Sequence, residues 1–231
     1  MKIVLFACIA LSAAAAAAAS PIPPFKAEYA ASRNGKELGR TTIELVDNRD
    51  STWTLRTSTV GTSGLARIAG LDVVEVSHVR WRDGRPETLD YDFRQDAAMR
   101  SKRRAATFDW TKREVHMRDG DSDARYALVD GTVDRHALTM ALVNDLARGV
   151  TPPAYSVAMK DAIEEVRYAD CGAPSVSVPA GRYDTRCLER RREKRTSTSW
   201  FAAAAGWLPV RIEQVEKGGE TIALELVSLK K

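Results

Sequence analysis

Apolar and polar residues alternate along most of this chain, and that rhythm limits its folds more than any other feature. Leu89, Tyr91 and Phe93 are separated by Asp90 and Asp92. Leu208, Val210 and Ile212 alternate with Pro209, Arg211 and Glu213, and Ile222, Leu224 and Leu226 enclose Ala223 and Glu225. Trp53 and Leu55, Phe108 and Trp110, Val115 and Met117, and Tyr126 and Leu128 repeat the pattern. Successive side chains of a strand point to opposite faces, so each run has one dry face and one wet face. An antiparallel sheet covered on one side has that pattern. Turn chemistry marks the breaks: Asn34-Gly35, Asp83-Gly84, Asp119-Gly120, Pro179-Ala180-Gly181 and Gly218-Gly219. The expected fold is mainly β: a curved antiparallel meander or half-barrel of about ten to twelve strands around one apolar helix.

That helix is the one segment that breaks the rhythm. Asp134 stands as an N-cap before a run from Arg135 to about Arg148, and Gly149 followed by Pro152-Pro153 closes it. Its interior carries Ala137, Leu138, Met140, Ala141, Leu142, Val143, Leu146 and Ala147, so it must be covered nearly all round. A second short helical turn is expected over Ala66–Gly70. A fourteen-residue helix spans only about 21 Å. Ten flat strands would span about 48 Å. Part of the concave face is therefore expected to lack a protein cover and to favour a lipid-like ligand or a partner's hydrophobic segment.

The first nineteen residues have the pattern of a secretory leader. Met1-Lys2 is a basic start, Ile3–Leu11 is almost unbroken apolar, and Ala17-Ala18-Ala19 supplies small side chains for cleavage. Leu5-Phe6-Ala7-Cys8 is a poor lipidation box, because Phe6 is bulky where a small residue is wanted. Residues 1–19 are thus read as a signal peptide, 20–24 as a stiff proline-rich lead-in, and 25–231 as a single β-rich domain in the periplasm. Removing Lys2, the only charged residue of the leader, takes the formal charge from +4 to +3. That permits anionic contacts without requiring them. An outer-membrane barrel is excluded by the Arg and Glu at outward positions. The mature chain is not expected to span a membrane.

Cys8 leaves with the leader, so Cys171 and Cys187 remain as a pair with no C-x-x-C spacing. In an oxidising compartment such a pair is most simply a disulfide across the Pro179–Gly181 hairpin. A bulge near Gly172-Ala173-Pro174 would bring the two into register.

Signals of chemistry are sparse. Asp119-Gly120-Asp121-Ser122-Asp123 with Asp130 has calcium-loop features, but Ala124 replaces the turn glycine and the flanks read as strands. A polar hairpin tip explains it without metal. His78, His116 and His136 lack metal-ligand spacing. His116 sits on a polar face, His136 in the first helical turn, and His78, on a face shared with Val74 and Val76, is expected to be a satisfied core or rim histidine. Gly61-Thr62-Ser63-Gly64 is a loop and not a nucleophile elbow. The run Arg186, Arg190, Arg191, Arg192, Lys194 and Arg195 is broken by Glu189 and Glu193 and reads as a solvated face, with attraction to acidic headgroups or lipopolysaccharide phosphates as the alternative. Export makes nucleic acid an unsuitable partner.

Phe25-Lys26-Ala27-Glu28-Tyr29, Phe108-Asp109-Trp110, Pro179–Thr185, and Trp200-Phe201 followed by Leu208-Pro209-Val210-Arg211-Ile212 occur in an order that resembles the exported bacterial proteins of domain of unknown function family 3108. The resemblance runs from about Phe25 to Leu229. It implies a periplasmic or envelope β domain with an architecture like the open barrels of lipoprotein carriers. It brings no catalytic residues, and the cysteine pair looks like a local addition.

These readings lead to an envelope binding module for an apolar or lipidic ligand or for a protein partner. No catalytic, metal or cofactor site is expected. The ligand face would involve Trp53, Tyr91, Phe93, Phe108, Trp110 and Leu142. The alternative is a structural scaffold whose helix fills the sheet and leaves no cavity; an enzyme comes third. A sizeable pocket would separate the first two readings, and convergent titratable groups inside it would revive the third.

Overall fold

A computed structural model describes residues 21–231 except 69, 99 and 151–153. The expected leader, including Cys8, lies outside the described residues, as do Pro152 and Pro153. The chain opens with β1 (Phe25–Arg33), β2 (Lys36–Asp47), β3 (Thr52–Gly61), α1 (Gly64–Ile68), β4 (Asp72–Arg82), β5 (Arg85–Ala97), β6 (Arg100–Asp109), β7 (Glu114–Asp119) and β8 (Ser122–Ala127). A middle section follows: β9 (Val133–Asp134), α2 (Leu138–Ala147), β10 (Tyr155–Ala158), β11 (Ile163–Val166), β12 (Ala169–Asp170), β13 (Ser175–Val178) and β14 (Gly181–Asp184). The chain ends with β15 (Arg186–Arg192), β16 (Arg195–Ala202), β17 (Leu208–Glu216) and β18 (Thr221–Lys230).

Thirteen of these strands form one open sheet in the order β12-β15-β16-β17-β18-β1-β2-β3-β4-β5-β6-β7-β8. It is a meander from β1 to β8 and another from β15 to β18, joined where the first and last strands pair, Ala27 opposite Leu229. The sheet is mainly antiparallel and not closed into a barrel, as the alternation implied. It exceeds the expected ten to twelve strands by the two-residue β12. The remaining five strands, two to four residues each, are too brief to show alternation. Register shifts at Glu28/Tyr29, Ala31/Ser32, His78/Val79 and Trp200/Phe201 bend the sheet, because an extra residue on one strand increases twist and kinks the ladder.

The middle section crosses the concave side and supplies the cover that one helix could not. Under α2, Trp53, Leu55, Val79, Trp81, Phe201 and Leu226 pack with Leu138, Leu142, Val143 and Leu146. Beside it, Tyr91, Phe93, Phe108, Val115 and Met117 form a second cluster. That cluster is capped by Leu128, Ala158 and Ile163, where β9, β10 and β11 make a small separate sheet. Val178, Ala180 and Tyr183, from the β13–β14 hairpin, pack against the first cluster. The lead-in also takes part: Ile22 is 4% exposed and belongs to the core.

Three local expectations need correction, and the helix stop holds. The helix begins at Leu138 and not at Arg135, because the Asp134 carboxylate caps a preceding turn. It ends as expected in a Schellman closure: Gly149 at φ +68° donates to Leu146 O, and Val150 to Asp145 O. The second helix is Gly64–Ile68, two residues earlier than expected. His78 is outward, 2.6 Å from Asp90, and Ser77 takes the inward place. Apolar Val74 and Val76 on the outer side of β4 had disguised its polarity.

The Cys171–Cys187 disulfide is present, with Cα atoms 5.0 Å apart. Val178 pairs with Gly181, but Asp170 pairs with Leu188, so one residue is absorbed between the two ladders. Gly172 at φ +95° and the Cys187 N–H to Gly172 O bond lie at that slip, as the expected bulge required.

Candidate functional site

The residues ahead of α2 gather the most deeply buried polar group of the molecule. Inward parity places Thr57 on β3, Ser77 on β4 and Thr88 on β5 beneath the helix start. Asp134 is fully buried and accepts from all sides. Its Oδ1 takes Ser77 Oγ at 2.9 Å and the amides of His136 and Ala137 at 2.7 and 2.9 Å. Its Oδ2 takes Thr88 Oγ1 at 2.8 Å. Thr88 Oγ1 in turn accepts the Asp134 amide at 2.9 Å. Burial pushes the Asp134 carboxyl up, while His136 and the Ala137, Thr88 and Ser77 donors pull against that rise.

His136 extends the chain of bonds. Its Nδ1 is 2.9 Å from Ser77 Oγ and its Nε2 is 2.8 Å from Thr57 Oγ1. With Asp134 ionised, Ser77 gives its only proton to the carboxylate. His136 must then donate from Nδ1 to Ser77 and accept from Thr57 at Nε2. Burial holds the imidazole below its usual range, against the pull of Glu75 and Asp134. Next to this group Glu75 Oε1 accepts from Tyr91 at 2.6 Å and from Arg135 Nε at 3.1 Å, and the Arg135 guanidinium lies over Phe93. Burial, then the Glu75 charge, pushes the Tyr91 hydroxyl up.

Thr57, His136 and Thr139 are the polar part of a mostly apolar cavity between α2, β1–β3 and the start of β17. Phe25, Leu55, Met140, Val143 and Leu208 line the rest. Its volume is about 40 Å³, room for a few waters at most. The order Thr57–His136–Ser77–Asp134 is a hydrogen-bonded relay, not a nucleophile triad. The carboxylate orients the serine instead of the imidazole, and Ser77 is fully buried. What the arrangement does physically is tie the entry of α2 to β3, β4 and β5.

The residues expected to form a ligand face are divided between two clusters. Trp53 and Leu142 lie under α2; Tyr91, Phe93 and Phe108 lie under the small sheet, with Trp110 at its margin. None of the six lines the cavity. The sequence reading missed Thr57, Ser77, Thr88 and Glu75. The one available signal was polar residues at inward parity on β4, where Glu75 and Ser77 precede Val79.

The remaining candidates are mostly paired charges at or near the surface. Asp119 faces Arg104 at 2.6 Å while Asp123 faces His116 at 2.8 Å, so the Asp119–Asp123 carboxylates diverge about a β7–β8 turn. In the basic run, Arg186 meets Asp170, Arg191 meets Glu189 and Arg195 meets Glu216 at 3.1, 2.6 and 2.7 Å. Arg192 bonds Glu164, and Arg190 bonds Tyr168. Acids of the same strand and of nearby ones thus neutralise most of the run. Among the described residues no helix is long and apolar enough to cross a membrane.

Comparison with solved structures finds likenesses at low identity. A β-barrel-like protein of domain of unknown function DUF1849 from Brucella abortus superposes with a TM-score of 0.55 at 12% identity, covering 92% of this chain and 99% of that one. That likeness concerns the fold alone. A Pseudomonas aeruginosa MucA/MucB complex matches with a TM-score of 0.37 at 13% identity over 90% of this chain and 51% of that one, so the match spans about half the longer chain. A putative lipoprotein from Parabacteroides distasonis gives a TM-score of 0.37 at 9% identity, over 90% of this chain and 95% of that one. No curated protein matches the sequence. A family model described as protein of unknown function (DUF3108) matches residues 25–227, and the chain belongs to that family.

Proposed function

We propose that this protein is an exported, non-catalytic envelope domain whose concave face is permanently filled by its own chain and which acts through its outer surface on an envelope partner. One observation carries the reading. The middle section covers the sheet so completely that the apolar cavity left beneath α2 measures about 40 Å³. Ligand pockets usually need roughly 300–1,000 Å³. Export is supported by the Cys171–Cys187 bridge, which needs an oxidising compartment to persist. Within the buried polar group Ser77 is not free to act as a nucleophile, because its hydroxyl is buried and committed to Asp134.

A lipid-carrier reading draws on the cavity's apolar lining, and it requires α2 to lift away from β1–β3. Native mass spectrometry of protein purified from its own envelope without detergent separates the two. The filled-core reading expects the bare mass and no displacement of an apolar fluorescent probe by fatty acid. A co-purifying lipid, or a probe competed off by fatty acid, would make the protein a carrier.

A further inference from the structure

At the far end of α2 two adjoining hollows of about 610 and 200 Å³ share Arg85, Asp130 and Gly131. The larger is walled by the β4–β5 turn and by Trp110 and Arg113 of the β6–β7 connection; the smaller is walled by Asn144 and Arg148. Together they form a polar cleft of ligand size. Trp110 is fixed there by an indole N–H bond to Thr88 O at 2.8 Å.

Two features of the cleft ask for a ligand. Most of its acids are occupied: Glu87 by Arg80 at 2.8 Å, Asp130 by Arg113, and Asp145 by the Tyr155 hydroxyl at 2.7 Å. Asp83 is the exception, at the tip of the turn. Arg85 and Arg148 have no acidic partner among the described residues, and Arg148 Nη1 lies beside Gly84 of the same turn. The second feature is Asn144, 2% exposed. Its Nδ2 donates to Gly84 O at 3.0 Å, which fixes the amide's orientation and leaves Oδ1 buried without a donor. A buried acceptor left unmade is costly, and structures rarely keep one without a use.

Guanidinium forks match phosphate oxygens, and an orphan carbonyl needs an O–H or N–H donor. We infer that this cleft binds a sugar phosphate. The phosphate lies between Arg85 and Arg148, Trp110 walls the larger hollow against the ring, and a sugar hydroxyl donates to Asn144 Oδ1 once the side chains that close this atom from solvent give way. The inference rests on the reading that the protein works through its exterior, and it names the chemistry recognised there. The sugar phosphate is either a soluble metabolite or the headgroup of an envelope glycolipid.

Calorimetry of the purified full chain tests it with glucose 1-phosphate, inorganic phosphate and glucose. A parallel arm uses phosphatidylglycerol vesicles with and without a phosphorylated glycolipid. The expected order is glucose 1-phosphate above phosphate, with glucose not binding. Arg85→Gln with Arg148→Gln should weaken binding about tenfold per arginine, with an unchanged melting midpoint. Asn144→Leu should bring glucose 1-phosphate down to the affinity of phosphate. Binding only to glycolipid vesicles, lost in the arginine variant, assigns the headgroup as the source. No binding of glucose 1-phosphate or glycolipid, or equal binding by the arginine variant, overturns the inference. Either result leaves the filled-core reading standing, because that reading depends on the native mass and not on this cleft.

Discussion

The two ends of α2 are built on opposite principles. At its start, Asp134, Ser77, Thr88, His136 and Thr57 satisfy one another, and Asp134 alone accepts from four donors. At its end, the buried Asn144 keeps one acceptor unpaired beside arginines that face a cleft. Full satisfaction rigidifies, whereas an unpaired buried group is tolerated where something else depends on it. The first end therefore reads as an anchor and the second as an opening. Treating the helix as uniform would hide both roles.

Breaking the anchor should have the largest effect. Asp134→Ala strands two hydroxyls and two amides in the interior, and a loss of about 3–5 kcal/mol is expected. Urea unfolding measures it; a loss below about 1 kcal/mol would show that the donors find other partners and that the anchor is not one. Next comes the disulfide, which holds β12 and the β13–β14 hairpin to β15. Cys187→Ser should cost about 3 kcal/mol in the chain-entropy model while the far-ultraviolet spectrum stays native. Free thiols found in protein isolated without reductant would remove the premise.

The pH dependence sharpens the anchor further. The folded His136 imidazole protonates below its free value of 6.5. As pH falls through that value the unfolded chain takes up the proton first, so stability drops until the folded imidazole also protonates. The slope is at most about 1.4 kcal/mol per pH unit for one proton. Asp134, whose carboxyl is pushed up, acts in the opposite sense. The wild type should therefore be compared with His136→Asn, which keeps Asp134. The variant should be flatter from pH 6.5 downwards, and identical slopes would assign the effect to other groups. At the opposite end Asn144→Ala removes a single bond to Gly84 O and an already unsatisfied acceptor, so about 1 kcal/mol is expected. If it matched Asp134→Ala, the contrast between the ends would collapse.

Sequence and structure agree where periodicity is long. Strands such as β5 and β18 carry enough alternation to reveal both type and face, and the Asp134 cap and Gly149 stop bracket α2 closely. The cover of the second cluster was not legible, because β9, β10 and β11 are at most four residues long and show no period. The anchor was also hidden. Thr57, Ser77 and Thr88 are distant in sequence, and only register brings them beneath Asp134. On β4 the apolar residues Val74 and Val76 face outward, so parity judged by hydrophobicity selects the wrong side and assigns His78 to the core or rim, whereas Ser77 is the inward residue. The cleft at Arg85 and Arg148 depends on two turns and a helix end meeting, which no local pattern encodes.

If the concave face is permanently filled, α2 never leaves the core. Native-state hydrogen exchange tests it most directly, because a lid opens locally while a core element opens only with the whole molecule. The amides of Leu142, Val143 and Leu146 should exchange with the same free energy and denaturant dependence as those of Tyr29 and Leu226 in the central strands, with or without fatty acid vesicles. Faster exchange in the helix, insensitive to denaturant and altered by those vesicles, would contradict the account and make α2 a moving lid.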